Sequence, residues 1–118
     1  MKEENLIVNK TFHFALNIIE LYKFLTGNKE YVLSKQVLRS GTSIGANVEE
    51  ATAAQSKKDF IAKMVISSKE ARETRYWLKL LEASQLVKHN YQTYIKDANE
   101  LVNILTAIVK TAQKNSNK

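Results

Sequence analysis

The sequence holds no proline and no cysteine, and only three glycines, Gly27, Gly41 and Gly45, in 118 residues. So few turn-forming residues exclude the frequent tight turns of a sandwich or barrel, and an all-helical protein is the simple reading. The lack of cysteine excludes a disulfide framework, a thiolate metal site and a cysteine nucleophile. Long hydrophobic runs are missing as well: no apolar stretch approaches about 18 residues, so no membrane span is expected. The opening "MKEENLIVNKTF" has no basic segment leading into a long apolar run and a small-residue cleavage site, which points to the cytoplasm.

Histidine is equally scarce. His13 and His89 fall on different predicted elements with no carboxylate at ligand spacing, and the Glu-x-x-His signature of di-iron bundles is absent. Ser40, Ser43, Ser67 and Ser68 have no matched base. The expectation is a non-enzyme with no catalytic residue, metal or cofactor.

What is present is one domain's worth of chain, residues 1–118, with apolar residues at helical spacing. A first helix over roughly residues 5–26 places Val8, Thr11, Ala15, Ile18, Tyr22 and Leu25 on its inner face, with Phe12, Leu16 and Ile19 beside them. "TGNKE" ends it, with Gly27 in the left-handed conformation of a helix C-terminus. A second helix, roughly 30–55, carries Leu33, Val37, Ser40, Ile44, Val48 and Ala51 inward. Ser56, three residues before Asp59, resembles a capping box and opens a third helix over roughly 57–85. Its inner residues are Phe60, Met64, Ser67, Ala71, Thr74, Leu78 and Leu81, with Ile66, Trp77 and Leu80 as a second stripe. Asn90 is placed to cap or close a helix end, and a fourth helix follows over roughly 91–114, with Ala98, Leu101, Val102, Leu105 and Ala112 among its apolar residues. Short joints make neighbours antiparallel, giving an up-down-up-down four-helix bundle.

The stretch "VLRSGTSIGANVEEA", Val37 to Ala51, weakens a helix where alanine and leucine would strengthen it. Each interior glycine costs about 1 kcal/mol relative to alanine. Gly41 and Gly45, four apart and beside Ala46, thin one side of the helix, so another helix can approach and Trp77 or Tyr76 can fill the space. "GTSIG" lacks the lysine and the strand of a phosphate-binding loop. Asn47 lies beside the buried stripe, where an amide specifies register. Arg39, Glu49 and Glu50 in helix two and Glu70, Arg72, Glu73 and Arg75 in helix three offer opposite charges able to pair across helices or subunits. Glu70 and Glu73, one turn apart, also read as ion-pair partners for Arg72 or Arg75 on their own helix.

The segments "LRSGTSIGANVEEA" and "SKKDFIAKMVISSKEARETRYWLKLLEAS" resemble the bacterial four-helix-bundle family encoded by intervening sequences in 23S ribosomal RNA genes, a superfamily that includes the accessory variability protein of diversity-generating retroelements. The resemblance covers nearly the whole chain and is specific over Leu38 to Leu81. Family members often carry a glycine where this chain has Ala51, so helix two is expected to run further. The resemblance implies a ring-like homopentamer, no enzyme activity and, for the retroelement relatives, association with nucleic acid and a reverse transcriptase. It makes Arg39, Ser43, Asn47, Glu50, Glu70, Glu73, Tyr76 and Trp77 positions of bundle and subunit contact.

Eighteen basic against twelve acidic residues give a formal charge of +6, which suits an anionic partner. The candidate RNA- or DNA-contacting surface is Lys69, Arg72, Arg75, Tyr76 and Lys79, recurring every three or four residues, with Lys57 and Lys58 at the start of the same helix. The opposing reading is a solvated face threaded by Glu70, Glu73 and Glu82. Lys110, Lys114 and Lys118 form a second basic surface. A protein-interaction scaffold with no nucleic-acid contact is the alternative function.

Overall fold

The apolar periodicity is realised as four α-helices in the computed structural model, which describes the backbone of residues 2–116 and the side chains of residues 5–116. They are α1 (Lys2–Gly27), α2 (Leu33–Thr52), α3 (Lys57–Ser84) and α4 (Gln92–Ser116). There is no strand among the described residues, and the helices form a rod with extents of 50 × 22 × 22 Å. α2 packs on α1 and α3, α3 packs on α4, and α1 meets α4 more sparsely.

The joints come from local chemistry. Gly27 is the last residue of α1 and has no positive φ; Lys29 takes the left-handed position instead, at φ 66°. The Lys29 N–H donates to Thr26 O at 3.0 Å and the Glu30 N–H to Leu25 O at 2.9 Å, the pair of bonds that closes a Schellman end. A β-carbon in that conformation costs about 1–2 kcal/mol. Lys29→Gly is therefore expected to raise stability by about 0.5–1 kcal/mol after glycine's own entropic cost. The readout is thermal melting, and an unchanged or lowered midpoint would mean that the lysine stem compensates the strain.

α2 begins three residues later than its apolar pattern suggests, because Glu30 caps it from outside. Its carboxylate accepts the Val32, Leu33 and Ser34 N–H groups at 3.0, 3.0 and 2.6 Å. Those are donors that a first helical turn leaves without partners, and negative charge is favoured there. At the other end α2 stops at Thr52 rather than running further. Ala53 and Ala54 donate to Glu50 O and Ala51 O, tightening the last turn into short-range bonds that satisfy the terminal carbonyls without a glycine. Ser56 Oγ then accepts the Asp59 N–H at 3.1 Å and starts α3. Asn90 Oδ1 accepts the Gln92 N–H at 3.0 Å at the entrance to α4.

The inner faces of α2 and α3 are those their spacing indicated: Val37, Ser40, Ile44, Val48 and Ala51 are buried against Met64, Ser67, Ala71, Thr74, Leu78 and Leu81. Hydroxyls knit this seam. Ser67 Oγ donates to Ile44 O at 2.8 Å, and Thr74 and Ser40 hydroxyls meet at 2.8 Å, with Ser40 able to pass its proton on to Gln36 O. Every buried side-chain polar atom among the described residues has a partner.

The face of α1 holds to the one expected at Thr11, Ile18 and Leu25, which are buried, and in part at Val8, Ala15 and Tyr22, which are half-buried. It is turned toward Ile7, Phe14 and Leu21 and away from Phe12, Leu16 and Ile19. Ile7, Thr11, Phe14, Ile18, Leu21 and Leu25 are buried, whereas Phe12, Leu16 and Ile19 stand in solvent, Phe12 at 58%. α1 is apolar around much of its circumference, and the helical period gives the width of that arc but not which part meets α2.

Candidate nucleic-acid interface

The two sides of α3 carry opposite chemistry. Toward α2, Arg39 forms ion pairs with both Glu70, at 3.0 Å, and Glu73, and the Trp77 indole N–H donates to Glu73 at 3.4 Å. Glu70 and Glu73 thus pair with α2, not with Arg72 or Arg75 on their own helix. Glu82 turns to the joint before α4, accepting the Tyr91 N–H at 3.0 Å and the Gln92 side-chain amide at 3.2 Å. The carboxylates expected to thread the basic face are therefore engaged elsewhere.

Toward α4, Lys69 and Arg72 border a shallow groove of about 210 Å³, and Lys110 of α4 closes its far side. Val65 and Val109 provide apolar lining, with Ser68 and Thr106 between them. Among the described residues no carboxylate lies within ion-pair distance of Lys69, Arg72 or Lys110. Residues 69 and 110, read from sequence as two separate basic surfaces, become one. Thr106 and Lys110 are one turn apart on α4, a spacing that signals a shared side but does not say which helix that side faces.

The other expected cations are distributed differently. Lys57, Lys58 and Lys79 are exposed outside the groove, and Lys114 lies exposed one turn beyond Lys110. Arg75 is half-buried and donates to Asn99 Oδ1 at 3.1 Å, so it ties α3 to α4 instead of facing a ligand. Lys118 lies outside the described residues.

The glycines serve helix packing. A β-carbon on Gly41 would meet Ile18 side-chain carbons at 2.9 and 3.0 Å, and one on Gly45 would meet the Thr11 backbone oxygen at 3.3 Å. The space is filled by α1, not by Trp77 or Tyr76. Asn47, expected to set register, instead donates within its own helix to Ser43 O at 2.9 Å and Ser43 Oγ at 3.1 Å. Glu50 is exposed, and Tyr76 is exposed with its ring in a T-shaped contact with Trp77, centroids 5.4 Å apart.

His13 borders a second groove, between α1 and α4, with Asp97 and Glu100; Glu100 is already paired to Lys10 at 2.6 Å. His89 packs among Phe24, Tyr91 and Tyr94 at one end of the rod. Among the described residues no three histidine or carboxylate side chains converge as a metal set. Among the described residues no helix is long and apolar enough to cross a membrane.

The model of the 23S rRNA-intervening sequence protein family matches residues 3–107. A crystal structure of a protein with unknown function from the S23 ribosomal protein family of Bacteroides thetaiotaomicron VPI-5482 is 47% identical, over 92% of this chain and 98% of that one, with a TM-score of 0.86. No curated protein matches the chain.

Proposed function

The chain belongs to the 23S rRNA-intervening sequence protein family, and we propose that it is a non-enzymatic, self-assembling helical bundle that grips RNA or DNA by its phosphates at the groove between α3 and α4. The observation that carries this reading is the gathering of Lys69, Arg72 and Lys110 from two helices around one groove, with no carboxylate among the described residues paired to them. Cations free of intramolecular partners are available to displace the counterions of a polyanion. The formal charge of +6 adds long-range attraction.

The finer architecture belongs to the same proposal. Helices meet in opposed sequence order: Ile18 meets Gly41 and Thr11 meets Gly45, while Ser40 meets Thr74 and Ile44 meets Ser67. This supports antiparallel neighbours in an up-down-up-down bundle. The exposed apolar stripe of Phe12, Leu16 and Ile19 on α1 supports assembly, because such a stripe is normally covered by a partner. The homopentameric number rests on family resemblance, as do a bacterial origin and docking to a reverse transcriptase or another nucleic-acid protein, while the cytoplasmic setting rests on the absent cysteine and on the N-terminal sequence. The same α1 stripe is the observation favouring the second reading, a protein scaffold without nucleic-acid contact.

Light scattering with a short random-sequence RNA or DNA duplex, at low and then high salt, tests the proposal. A pentamer-sized particle that gains nucleic-acid mass only at low salt is expected. Arg72→Glu with Lys110→Glu should weaken binding and flatten its salt dependence by about 0.9 in the logarithmic slope for each phosphate no longer neutralised. Absence of binding at low salt would end the nucleic-acid reading and leave the scaffold.

A further inference from the structure

We infer that this face of α3 takes single-stranded rather than double-stranded nucleic acid, with the Tyr76 ring as the platform on which a base stacks. The inference rests on the phosphate-gripping role given to the groove and names the form of nucleic acid that role serves. Lys69, Arg72, Tyr76 and Lys79 follow one another at steps of three, four and three, so they share one side of the helix. All four are exposed, and Tyr76 is 56% accessible. An aromatic ring is thereby set between cations over about 15 Å of helix.

The ring is also held. Arg39 fixes Glu73, Glu73 accepts the Trp77 indole N–H, and Trp77 meets Tyr76 at an interplanar angle of 65°. The two rings meet at an angle rather than stacked, and Tyr76 keeps more than half of its surface accessible in the single chain. The resemblance made Tyr76 a bundle or subunit contact; within the single chain Trp77 is its aromatic neighbour and 56% of its surface is accessible, so a subunit contact and a base platform compete for the same ring. In a duplex each base face is covered by the next base, so only the cations act. A single strand presents both phosphates and bare base faces, and cation-lined aromatics bind such strands without sequence preference.

The test is fluorescence anisotropy of the full chain with a labelled mixed-sequence 20-mer, alone and annealed to its complement, across a salt series. The wild type should prefer the single strand. Tyr76→Ala should weaken single-strand binding by roughly tenfold while leaving duplex affinity and both salt slopes unchanged, and Tyr76→Trp should restore it. Equal loss on both forms, or no loss on the single strand, overturns the inference while the groove reading stands. A changed particle mass for Tyr76→Ala in light scattering also overturns it, by making Tyr76 a subunit contact. Failure of the wild type to bind either form at low salt instead removes the groove reading itself.

Discussion

Gly41→Leu is expected to destabilise the protein by about 3 kcal/mol or more, lowering the melting midpoint by roughly 10 °C or more for a chain of this size. Even the first added carbon would lie 2.9 Å from Ile18 Cγ2, 3.0 Å from Cγ1 and 3.3 Å from Cβ. Isoleucine is stiff at χ1, and Ile18 is fully buried, so it has no solvent-side rotamer to retreat to. Alanine at the same position isolates the effect. It gains about 1 kcal/mol in helix propensity and loses about 1–3 kcal/mol to overpacking, so Gly41→Ala should be neutral to destabilising. In an Ile18→Ala background the obstacle is gone, and Gly41→Ala should become stabilising by about the propensity gain. The change of sign in this double-mutant cycle, read by chemical denaturation, is the test. If Gly41→Ala stabilises the protein with Ile18 intact, the close crossing of α1 over α2 is wrong.

Tyr91 gives the second large effect. It is completely buried in the joint between α3 and α4, its hydroxyl donating to Val87 O at 2.7 Å and its backbone N–H going to Glu82. Tyr91→Ala should cost about 3–5 kcal/mol, as truncation of a buried aromatic does. Tyr91→Phe keeps the ring and should cost only about 1 kcal/mol, the worth of one hydrogen bond. Burial raises the phenol pKa above its usual 10.0, and the nearby charges of Glu82 and Glu30, then Tyr94, push the same way. The folded state therefore favours the neutral phenol. Its contribution is fully present below the unfolded value of 10.0 and is lost as pH rises through the higher folded value, with no effect on the acid side. Denaturant melts between about pH 8 and pH 11 should show the wild type losing stability more steeply than Tyr91→Phe. The lysine titrations are common to both proteins, and Tyr94, whose pKa is also raised by burial and then Glu20, leaves a residual slope in the variant. Parallel pH profiles would show that Tyr91 ionises alike in the folded and unfolded states, so that burial does not raise its pKa.

Tyr91 also marks a limit of sequence reading. "SQLVKHNYQTY" reads as a turn because it breaks the helical period, and turn residues are ordinarily exposed. Yet Val87 and Tyr91 are both core residues. A joint can fold back over the end of a bundle, and no local pattern records that it does. Glu30 is a similar case: its position looks like the start of a helix, and only the chain's path through Lys29 turns it into a cap three residues outside the helix.

By itself the sequence determined four helices, because a missing proline, scarce glycine and a period near 3.6 are properties of consecutive residues. It determined the main inner stripes of α2 and α3 and the Ser56 cap, whose geometry spans three residues, but not the fate of the second stripe on α3, where Ile66 is exposed and Trp77 and Leu80 are half-buried. Tertiary structure alone decided the rest. It chose which part of α1's wide apolar arc is buried and put Ile18 and Thr11, not Tyr76 or Trp77, into the glycine-thinned side of α2. It turned Glu70 and Glu73 toward Arg39, took Arg75 to Asn99, and joined Lys110 of α4 to Lys69 and Arg72 of α3. Each of those outcomes depends on the rotation and offset of one helix against another. These are fixed by the combined packing of all four helices, and they leave no trace in the spacing along any one of them.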